Sequence, residues 1–344
     1  MKNKDVAKRE NKGVRTIDVH NHLFPLEWID YLEKRTQCPR MERRGGTMFF
    51  LSYNAPASRV NHPGHYDLSA RIKDLDQCGI DTQILSLTLP SIEELPVEEG
   101  VKWARKINDY FAEVCQKYPG RFYAYVTLPF QDIGESLKEL DRAYHELKVK
   151  GIAMFSNIQF KPLASQEFHP IYAKAEEYGL PIFIHPAIPF HAEAVQKHKF
   201  NVGLYGFTFD TTMAVMSLIW QGVLERFPNL KIIHSHLGGV VPYLVQRMED
   251  SWRVSSKMLG LELPQKPSEY YKRQVYPDSI SGFLPAMRCC LDFVGSKRIC
   301  LGTDYAHGIG NWEQAIHFVN ELNLPKEDTH NILGRNAATI FKIT

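Results

Sequence analysis

Several apolar, strand-like segments of this chain end in histidine or aspartate, the side chains that bind divalent metals in proteins. Imidazole nitrogens and carboxylate oxygens are good ligands for zinc and similar ions. His20 and His22 are only two residues apart on a predicted strand, so both side chains lie on the same face. The pattern predicts a metal-dependent enzyme. The residues are His20, His22, His185, His234, His236 and Asp304.

Eight apolar runs alternate with segments of helical period along the whole chain. Most runs are short and almost continuously apolar, as parallel strands buried on both faces are. The alternation predicts the α/β fold of a (β/α)8 TIM barrel. A doubly wound sheet would usually have a glycine-rich turn after its first strand, and none is present. The runs are 16–22, 82–87, 122–128, 151–157, 181–186, 231–236, 275–281 and 298–304, of which 275–281 is assigned mainly because the alternation requires it.

The length of 344 residues fits one barrel with insertions. Residues 1–14 are polar and charged, which predicts a disordered tail rather than a secretory signal. Residues 15–344 are predicted to form a single domain. Residues 23–66 are long for a βα loop and lie at the C-terminal face, where barrel active sites occur. We expect this insertion to form a lid or small subdomain.

Composition and charge exclude several other classes of protein. The formal net charge of +2 gives no electrostatic reason for binding nucleic acid or an anionic membrane. The apolar segment 211–223 is too short to span a bilayer and is predicted to be a buried helix. The six cysteines form no CxxC pair and no disulfide framework. They indicate reduced thiols in a cytoplasmic protein.

Barrel closure would bring strand eight beside strand one, so Asp304 could reach a metal bound by His20 and His22. Together with His185 they offer three nitrogens and one oxygen, which leaves room for water or substrate. Each has an alternative interpretation: His185 as a hydrogen-bonded core histidine, and Asp304 as a turn cap.

His234 and His236 lie on one face of the sixth predicted strand. His236 is nearer the C-terminal end and precedes Gly238 and Gly239, which let the backbone turn tightly toward the site. We therefore assign His236 as the acid/base histidine and His234 as its supporting neighbour. The reverse assignment stays open.

Taken together, these segments resemble the amidohydrolase superfamily, in its branch of amidohydrolase-related decarboxylases. That branch includes decarboxylases of 2-amino-3-carboxymuconate 6-semialdehyde and of resorcylate-type acids. The resemblance covers residues 16–343. It is carried by IDVHNH, ARIKDLDQCGIDTQILSL, FIHP, FPNLKIIHSHLGG, LGTDY and GRNAATIFKI, in this order.

The resemblance implies a metal ion, Zn²⁺ first and Mn²⁺ as the alternative, bound by His20, His22, His185 and Asp304. It also implies a metal-bound water and an acid/base role for His236. An arginine of the first long loop would bind the substrate carboxylate, and Arg59 occupies the matching place. A guanidinium fork suits a carboxylate, whereas an exposed loop arginine is the alternative.

Two positions depart from the family pattern. Ala187 stands where the nearest relatives have tryptophan, which trims one wall of the pocket. His307 replaces a different residue type and could face the substrate, with a solvent-exposed loop position as the alternative. The remaining eight histidines, His65 among them, are expected at the surface.

The leading prediction is non-oxidative decarboxylation of a small unsaturated or aromatic carboxylic acid, with His236 and Asp304 moving the proton. The second is hydrolysis of a lactone, ester or amide, or hydration of a double bond, by the same groups. The third is a barrel whose histidines have no catalytic role. Relatives of this kind lead us to expect a homodimer.

Overall fold

A computed structural model describes residues 13–261 and 263–344, except for the side chain of Gln196. The predicted disordered tail falls almost entirely on residues 1–12, which lie outside the described residues. The strands are β1 (Ile17–Asp18), β2 (Arg40–Arg44), β3 (Thr47–Ser52), β4 (Ala55–Val60), β5 (Thr82–Leu85), β6 (Phe122–Thr127), β7 (Gly151–Phe155), β8 (Asn157–Ile158), β9 (Lys161–Pro162), β10 (Ile182–His185), β11 (Ile232–His234) and β12 (Val275–Pro277).

Fourteen α-helices cover and connect these strands within the described part of the chain. They are α1 (Leu26–Glu33), α2 (Leu68–Cys78), α3 (Val97–Lys117), α4 (Ile133–Arg142), α5 (His169–Tyr178), α6 (Ala192–Lys197), α7 (Val202–Trp220), α8 (Val223–Arg226), α9 (Val241–Ser255), α10 (Pro267–Gln274), α11 (Leu284–Val294), α12 (Ala315–Glu321), α13 (Lys326–His330) and α14 (Asn336–Phe341). A further short turn, Ser235–Gly238, contains non-helical residues and belongs to the site.

The main sheet is a curled parallel sheet in the order β1-β5-β6-β7-β10-β11-β12. Each neighbour in this order is paired in parallel. Apolar side chains fill the inside of the sheet, as in a barrel core. Among them, Phe183 stacks on Tyr125 with ring centroids 5.1 Å apart and lies 4.8 Å from the ring of His20. The barrel core therefore forms the floor of the region around His20.

The predicted eighth strand is a closing segment and not a regular strand. The amide of Cys300 donates to the carbonyl of Pro277 at 3.0 Å, and the amide of Val19 donates to the carbonyl of Leu301 at 2.9 Å. The segment thus joins β12 to β1 and closes the barrel, as predicted. It leaves the strand conformation at Asp304, whose φ of 55° is in the left-handed region and cannot continue a ladder.

Helix α7 begins earlier and ends earlier than the predicted segment 211–223. Its 19 residues are long and apolar enough to cross a membrane by length and composition, and half of the most apolar window is buried inside the protein. The buried side chains include Val215, Leu218 and Ile219, which pack in the largest core cluster. Core packing therefore accounts for the buried half of this helix, whereas Leu204, Phe209 and Met213 are exposed apolar residues.

The insertion 23–66 contains helix α1 and a three-stranded antiparallel sheet in the order β2-β3-β4. One face of this sheet is buried through Met48 and Phe50. The carboxylate of Glu94, in the loop after β5, accepts hydrogen bonds from the Ser52 hydroxyl and the Tyr53 amide. These contacts tie the insertion to the barrel. Its role as a lid stays a prediction.

Glu93, beside Glu94, gives a testable pH dependence of stability. Its side chain is buried, and burial raises the pKa of its carboxyl to about 8. The unfolded chain ionises this group near pH 4.5, whereas the folded protein keeps it neutral until about pH 8. Folding therefore loses stability as the pH rises through this window, by roughly 3 to 5 kcal/mol at pH 8. We expect Glu93→Gln to be more stable than wild type at pH 8 and equal to it near pH 4.

Urea unfolding at pH 4 and pH 8 measures this difference. Glu146→Gln is the matched control, because Glu146 is exposed and makes no hydrogen bond or ion pair with another described residue. The same pH dependence in all three proteins would show that Glu93 is not the group responsible.

Candidate metal centre

Three histidines and one aspartate converge at the C-terminal end of the barrel. His20 and His22 follow β1, His185 is the last residue of β10, and Asp304 lies on the closing segment. All four are buried, and one ligand atom from each lies within 4.8 Å of the others. The structure thus brings together the four residues that the sequence predicts as metal ligands.

The second ring nitrogen of each histidine already has a partner. This arrangement fixes the ring orientation and turns Nε2 toward the shared centre, as the outer partners of metal-binding histidines do. The partners are Asp278 Oδ2 at 2.7 Å from His20 Nδ1, Ser86 Oγ at 3.2 Å from His22 Nδ1, and the Pro186 carbonyl at 3.0 Å from His185 Nδ1.

The atoms that face the centre lack well-formed hydrogen bonds. His20 Nε2, His22 Nε2 and Asp304 Oδ1 are buried without a partner of hydrogen-bond geometry among the described residues. Asp304 Oδ1 lies 3.4 Å from His20 Nε2 and 3.2 Å from His22 Nε2. Buried polar atoms without a partner are costly, so a cation bound between them would satisfy all three. The donor set of three nitrogens and one oxygen fits a divalent transition metal.

The charges of the centre also favour a cation. Burial opposes protonation of His20, but its hydrogen bond to Asp278 and the nearby negative charge of Asp304 outweigh burial and raise its pKa to about 10. Burial lowers the pKa of His22 to about 3 and that of His185 well below its usual value. The proton on His20 offsets only one of the two carboxylate charges of Asp278 and Asp304 when no metal is bound. A metal ion takes the place of that proton, so its affinity is expected to rise with pH.

The two histidines after β11 have different environments. His234 is fully buried, and its Nδ1 lies 3.0 Å from the hydroxyl of Tyr271. The side chain of His236 is 18% exposed, and its Nε2 lies 3.8 Å from Asp304 Oδ2. Only His236 is thus open to a bound molecule and close to the centre. This placement suits its predicted acid/base role, which stays a prediction.

Glycine is required in the turn that presents His236. The backbone from His236 to Gly239 has positive φ at all four residues. A Cβ on Gly238 would lie 2.4 Å from the Tyr271 hydroxyl, and one on Gly239 would lie 2.6 Å from the Thr208 carbonyl. Both contacts are too close for any side chain, which explains the Gly238-Gly239 pair.

Sequence reasoning missed two polar residues that support the centre. Asp278, directly after β12, is fully buried and binds His20. The predicted run 275–281 includes Asp278, but its apolar pattern is poor, so the strand end at Pro277 could not be located from the sequence. Arg71, buried within α2, donates to the side chains of Asn21 and Gln83 and to the carbonyl of His22. An arginine in an amphipathic helix gave no sign that it would point inward.

The three predicted substrate-binding residues have different positions. Ala187 is buried two residues after His185, and its amide donates to Ser156 Oγ at 2.7 Å. The ring of His307 is half-buried and lies 5.3 Å from the ring of His22. Arg59 is exposed on β4 and makes no hydrogen bond or ion pair with another described residue. The structure brings Ala187 and His307 beside the ligands and leaves Arg59 at the surface of the insertion.

The expectation of a surface position is wrong for two of the eight remaining histidines, because His330 and His65 are both buried. The side chain of His65 is fully buried, and its Nε2 lies 3.3 Å from Nδ1 of His307. The amide of Phe24 donates to its carbonyl at 2.7 Å, so the insertion folds over it. The polar flanking sequence gave no sign of this burial, because His65 is covered by Phe24 and His307, which are distant in the sequence.

Metal binding should stabilise the folded protein strongly. A ligand that binds only the folded state at 100 times its Kd adds about 2.7 kcal/mol, which corresponds to roughly 5 °C or more in Tm. We therefore expect metal-free protein to gain this increase with Zn²⁺ or Mn²⁺ and to lose it in excess chelator, measured by calorimetry. His317→Ala, which removes an exposed histidine, should keep the full shift. An unchanged Tm in metal, chelator and metal-free buffer would contradict a metal centre.

A closed parallel barrel with a histidine and aspartate centre at its strand ends defines the class of this protein as a candidate barrel metalloenzyme. The family described as amidohydrolase matches residues 17–343. The chain belongs to this family, and the predicted resemblance is confirmed.

Curated relatives are decarboxylases. The chain is 28% identical to 2-amino-3-carboxymuconate-6-semialdehyde decarboxylase of Dictyostelium discoideum, over 93% of this chain and 90% of that protein. It is 26% identical to gamma-resorcylate decarboxylase of Rhodococcus jostii, over 79% of this chain and 87% of that protein. These names agree with the predicted reaction class.

A solved structure has the same fold. It is 5-carboxyvanillate decarboxylase from Novosphingobium aromaticivorans, complexed with manganese and 4-hydroxy-3-methoxy-5-nitrobenzoic acid. Its TM-score is 0.83 at 25% identity, over 96% of this chain and 97% of that one. The predicted α/β barrel is confirmed.

Proposed function

We propose that this protein is a metal-dependent carboxy-lyase that removes CO2 from a small aromatic or unsaturated carboxylic acid without oxidation. The observation that carries the proposal is the buried centre of His20, His22, His185 and Asp304, with His236 on its open side. Similarity to curated decarboxylases over most of the chain supports the reaction class.

The reaction exchanges a carboxylate for a proton on one carbon. The carbon–carbon bond breaks, its electron pair stays on the substrate carbon, and that carbon takes up a proton as CO2 leaves. A divalent metal, when bound, supplies Lewis-acid polarisation of the substrate. His236 is positioned to deliver the proton, and Asp304 Oδ2 is close enough to orient its ring. No electron acceptor is consumed.

His307 provides a basis for substrate recognition through its partner His65. Burial lowers the pKa of both rings, so both are neutral. His65 Nδ1 lies 3.2 Å from the carbonyl of His62 and must donate to it. Its Nε2 then accepts the Nδ1 proton of His307, which leaves His307 Nε2 as an acceptor. We propose that this atom accepts a hydrogen bond from a hydroxyl or amino group on the substrate.

Arg59 and Ala187 complete the proposed substrate site. The guanidinium of Arg59 has no partner among the described residues, so no protein carboxylate would compete with a substrate carboxylate for it. We propose that it binds a carboxylate when the insertion adjusts to the substrate. We propose that the small side chain of Ala187 forms one wall of the substrate pocket near His185 and accommodates a substituted ring.

We propose Zn²⁺ as the bound metal, with Mn²⁺ as the alternative that the manganese complex of the carboxyvanillate decarboxylase supports. Elemental analysis of the purified protein decides between them. We also propose a cytoplasmic homodimer. Exposed apolar side chains on α7, α9 and the loop before α11, such as Met213, Tyr243 and Phe283, are suited to an interface. Light scattering of the purified protein tests this assembly.

Product analysis on a panel of acids tests the reaction. The panel contains 2,6-dihydroxybenzoate, 6-methylsalicylate and 5-carboxyvanillate, together with matched lactones and esters. We expect CO2 release and, in D2O, one deuterium at the carbon that lost the carboxylate. Ring opening or ester cleavage without CO2 release would contradict the proposed decarboxylase function and would support the hydrolase alternative.

A further inference from the structure

The carboxylate of Asp278 joins the metal ligand His20 to the turn that carries His236. Asp278 is the residue after β12, and its side chain is fully buried. Each of its oxygens accepts two hydrogen bonds. The donors are His20 Nδ1 at 2.7 Å and the His236 amide at 3.1 Å on Oδ2, and the amides of Leu237 at 3.0 Å and Ile280 at 3.1 Å on Oδ1.

The turn that Asp278 holds has an unusual backbone. His236 and Leu237 have φ of 54° and 57°, in the left-handed region that residues with a side chain rarely adopt. Such a conformation persists only where surrounding contacts fix it. The two amides of this turn both donate to Asp278, so this one carboxylate fixes the direction in which His236 leaves the backbone.

We propose that Asp278 is a positioning residue that sets the metal ligand His20 and the acid/base residue His236 at the same time. It keeps the His20 proton on Nδ1, so that Nε2 is free to bind a metal, and it aims His236 at Asp304. The part that concerns His236 rests on the proposed decarboxylase function. The part that concerns His20 requires only a metal centre.

The variant Asp278→Asn changes this arrangement without changing its shape. The asparagine oxygen can still accept from Leu237 and Ile280, but its amide nitrogen then faces His20 Nδ1 and the His236 amide. The NH2 group of asparagine would then face two other hydrogen-bond donors, His20 Nδ1 and the His236 amide. His20 can accept the asparagine proton only by moving its own proton to Nε2, the atom that faces the metal position. Metal affinity and the placement of His236 should therefore fall together.

Titration of metal-free protein with Co²⁺, followed by visible absorbance, tests the first part. We expect Asp278→Asn to bind Co²⁺ roughly 10- to 100-fold more weakly and with altered absorption bands. Glu139→Gln is the matched control, because Glu139 is a buried carboxylate that accepts from Asn108 and Arg142 on the outside of the barrel. It should lose stability and keep the wild-type affinity and bands. Wild-type affinity and bands in Asp278→Asn would overturn the proposal.

Kinetics at saturating metal test the second part. A misplaced acid/base residue lowers kcat by roughly 100-fold, with KM within a few-fold of wild type. A raised KM with unchanged kcat would overturn the role toward His236. If the wild-type protein decarboxylates no acid in the panel, the proposed function fails, and the Co²⁺ titration still decides whether Asp278 positions His20.

The wild-type protein gives a test that does not depend on the folding of any variant. In ¹⁵N-histidine-labelled protein loaded with Zn²⁺, long-range NMR couplings report which nitrogen of each ring carries the proton. We expect His20, assigned through its backbone resonances in the wild-type protein, to carry it on Nδ1 in slow exchange with water. A His20 ring without a proton on Nδ1 would overturn the proposal.

Discussion

Asp304→Asn should lower turnover by at least roughly a thousand-fold while the protein stays folded. Asp304 lies next to His20, His22 and His236 at once. Burial raises the pKa of its carboxyl, but the close histidine rings outweigh burial and hold this pKa well below its usual value. Asparagine keeps the shape but removes the negative charge, which weakens a metal ligand and the orientation of His236 together. Losses of this size are typical when one change removes a ligand and an orienting group.

Steady-state kinetics and metal content of the purified variant measure this effect. Asp132→Asn is the matched control, because Asp132 caps helix α4 through the Glu135 amide and asparagine caps a helix equally well. It should retain wild-type kcat and metal content. Full activity of Asp304→Asn would remove Asp304 from both of its proposed roles.

His236→Ala should lower turnover by roughly a hundred- to ten-thousand-fold without releasing the metal. Positioned proton donors contribute roughly a hundred- to ten-thousand-fold in rate, and His236 is the partly exposed histidine at the open side of the centre. Its ring is not among the four groups that converge on the metal position. We therefore expect kcat to fall within that range while metal content and the Tm increase with metal stay as in wild type.

A companion variant separates His236 from its neighbour. His234→Ala removes a fully buried ring that contacts Tyr271, so we expect a loss of stability and a smaller loss of kcat. If His234→Ala instead abolishes turnover while His236→Ala keeps it, the reverse assignment that the sequence leaves open is correct.

The ligand positions were predictable from the sequence because of the geometry of parallel strands. Every strand of a barrel ends on the same face, so a histidine or aspartate at a strand end must lie near the others. Strand ends at His22, His185 and Asp304 are marked by apolar runs that stop abruptly. Local pattern therefore carries information about a site formed by distant parts of the chain.

The supporting residues were less predictable because their roles depend on contacts across the barrel. Asp278 follows a three-residue strand, which is too short for periodicity to reveal. Arg71 and His65 become buried only when α2 and the insertion pack against the segment that follows β1. The sequence pattern around each of them is the same as that of an exposed polar segment. The eighth strand was predicted as regular, but Asp304 needs a left-handed backbone to face the histidines. The backbone conformation that the site requires at Asp304 therefore ends the eighth strand early.

The order of the four proposed metal ligands along the chain has a consequence for how the protein would acquire a metal. His20 lies near the beginning, His185 near the middle and Asp304 on the segment that closes the barrel near the end. During synthesis the ribosome releases the first two histidines long before the aspartate. A nascent chain holds only an incomplete set of ligands until its last strand emerges. Tight metal binding by these residues would therefore wait until the barrel closes, and a bound ion would then link the two ends of the sheet.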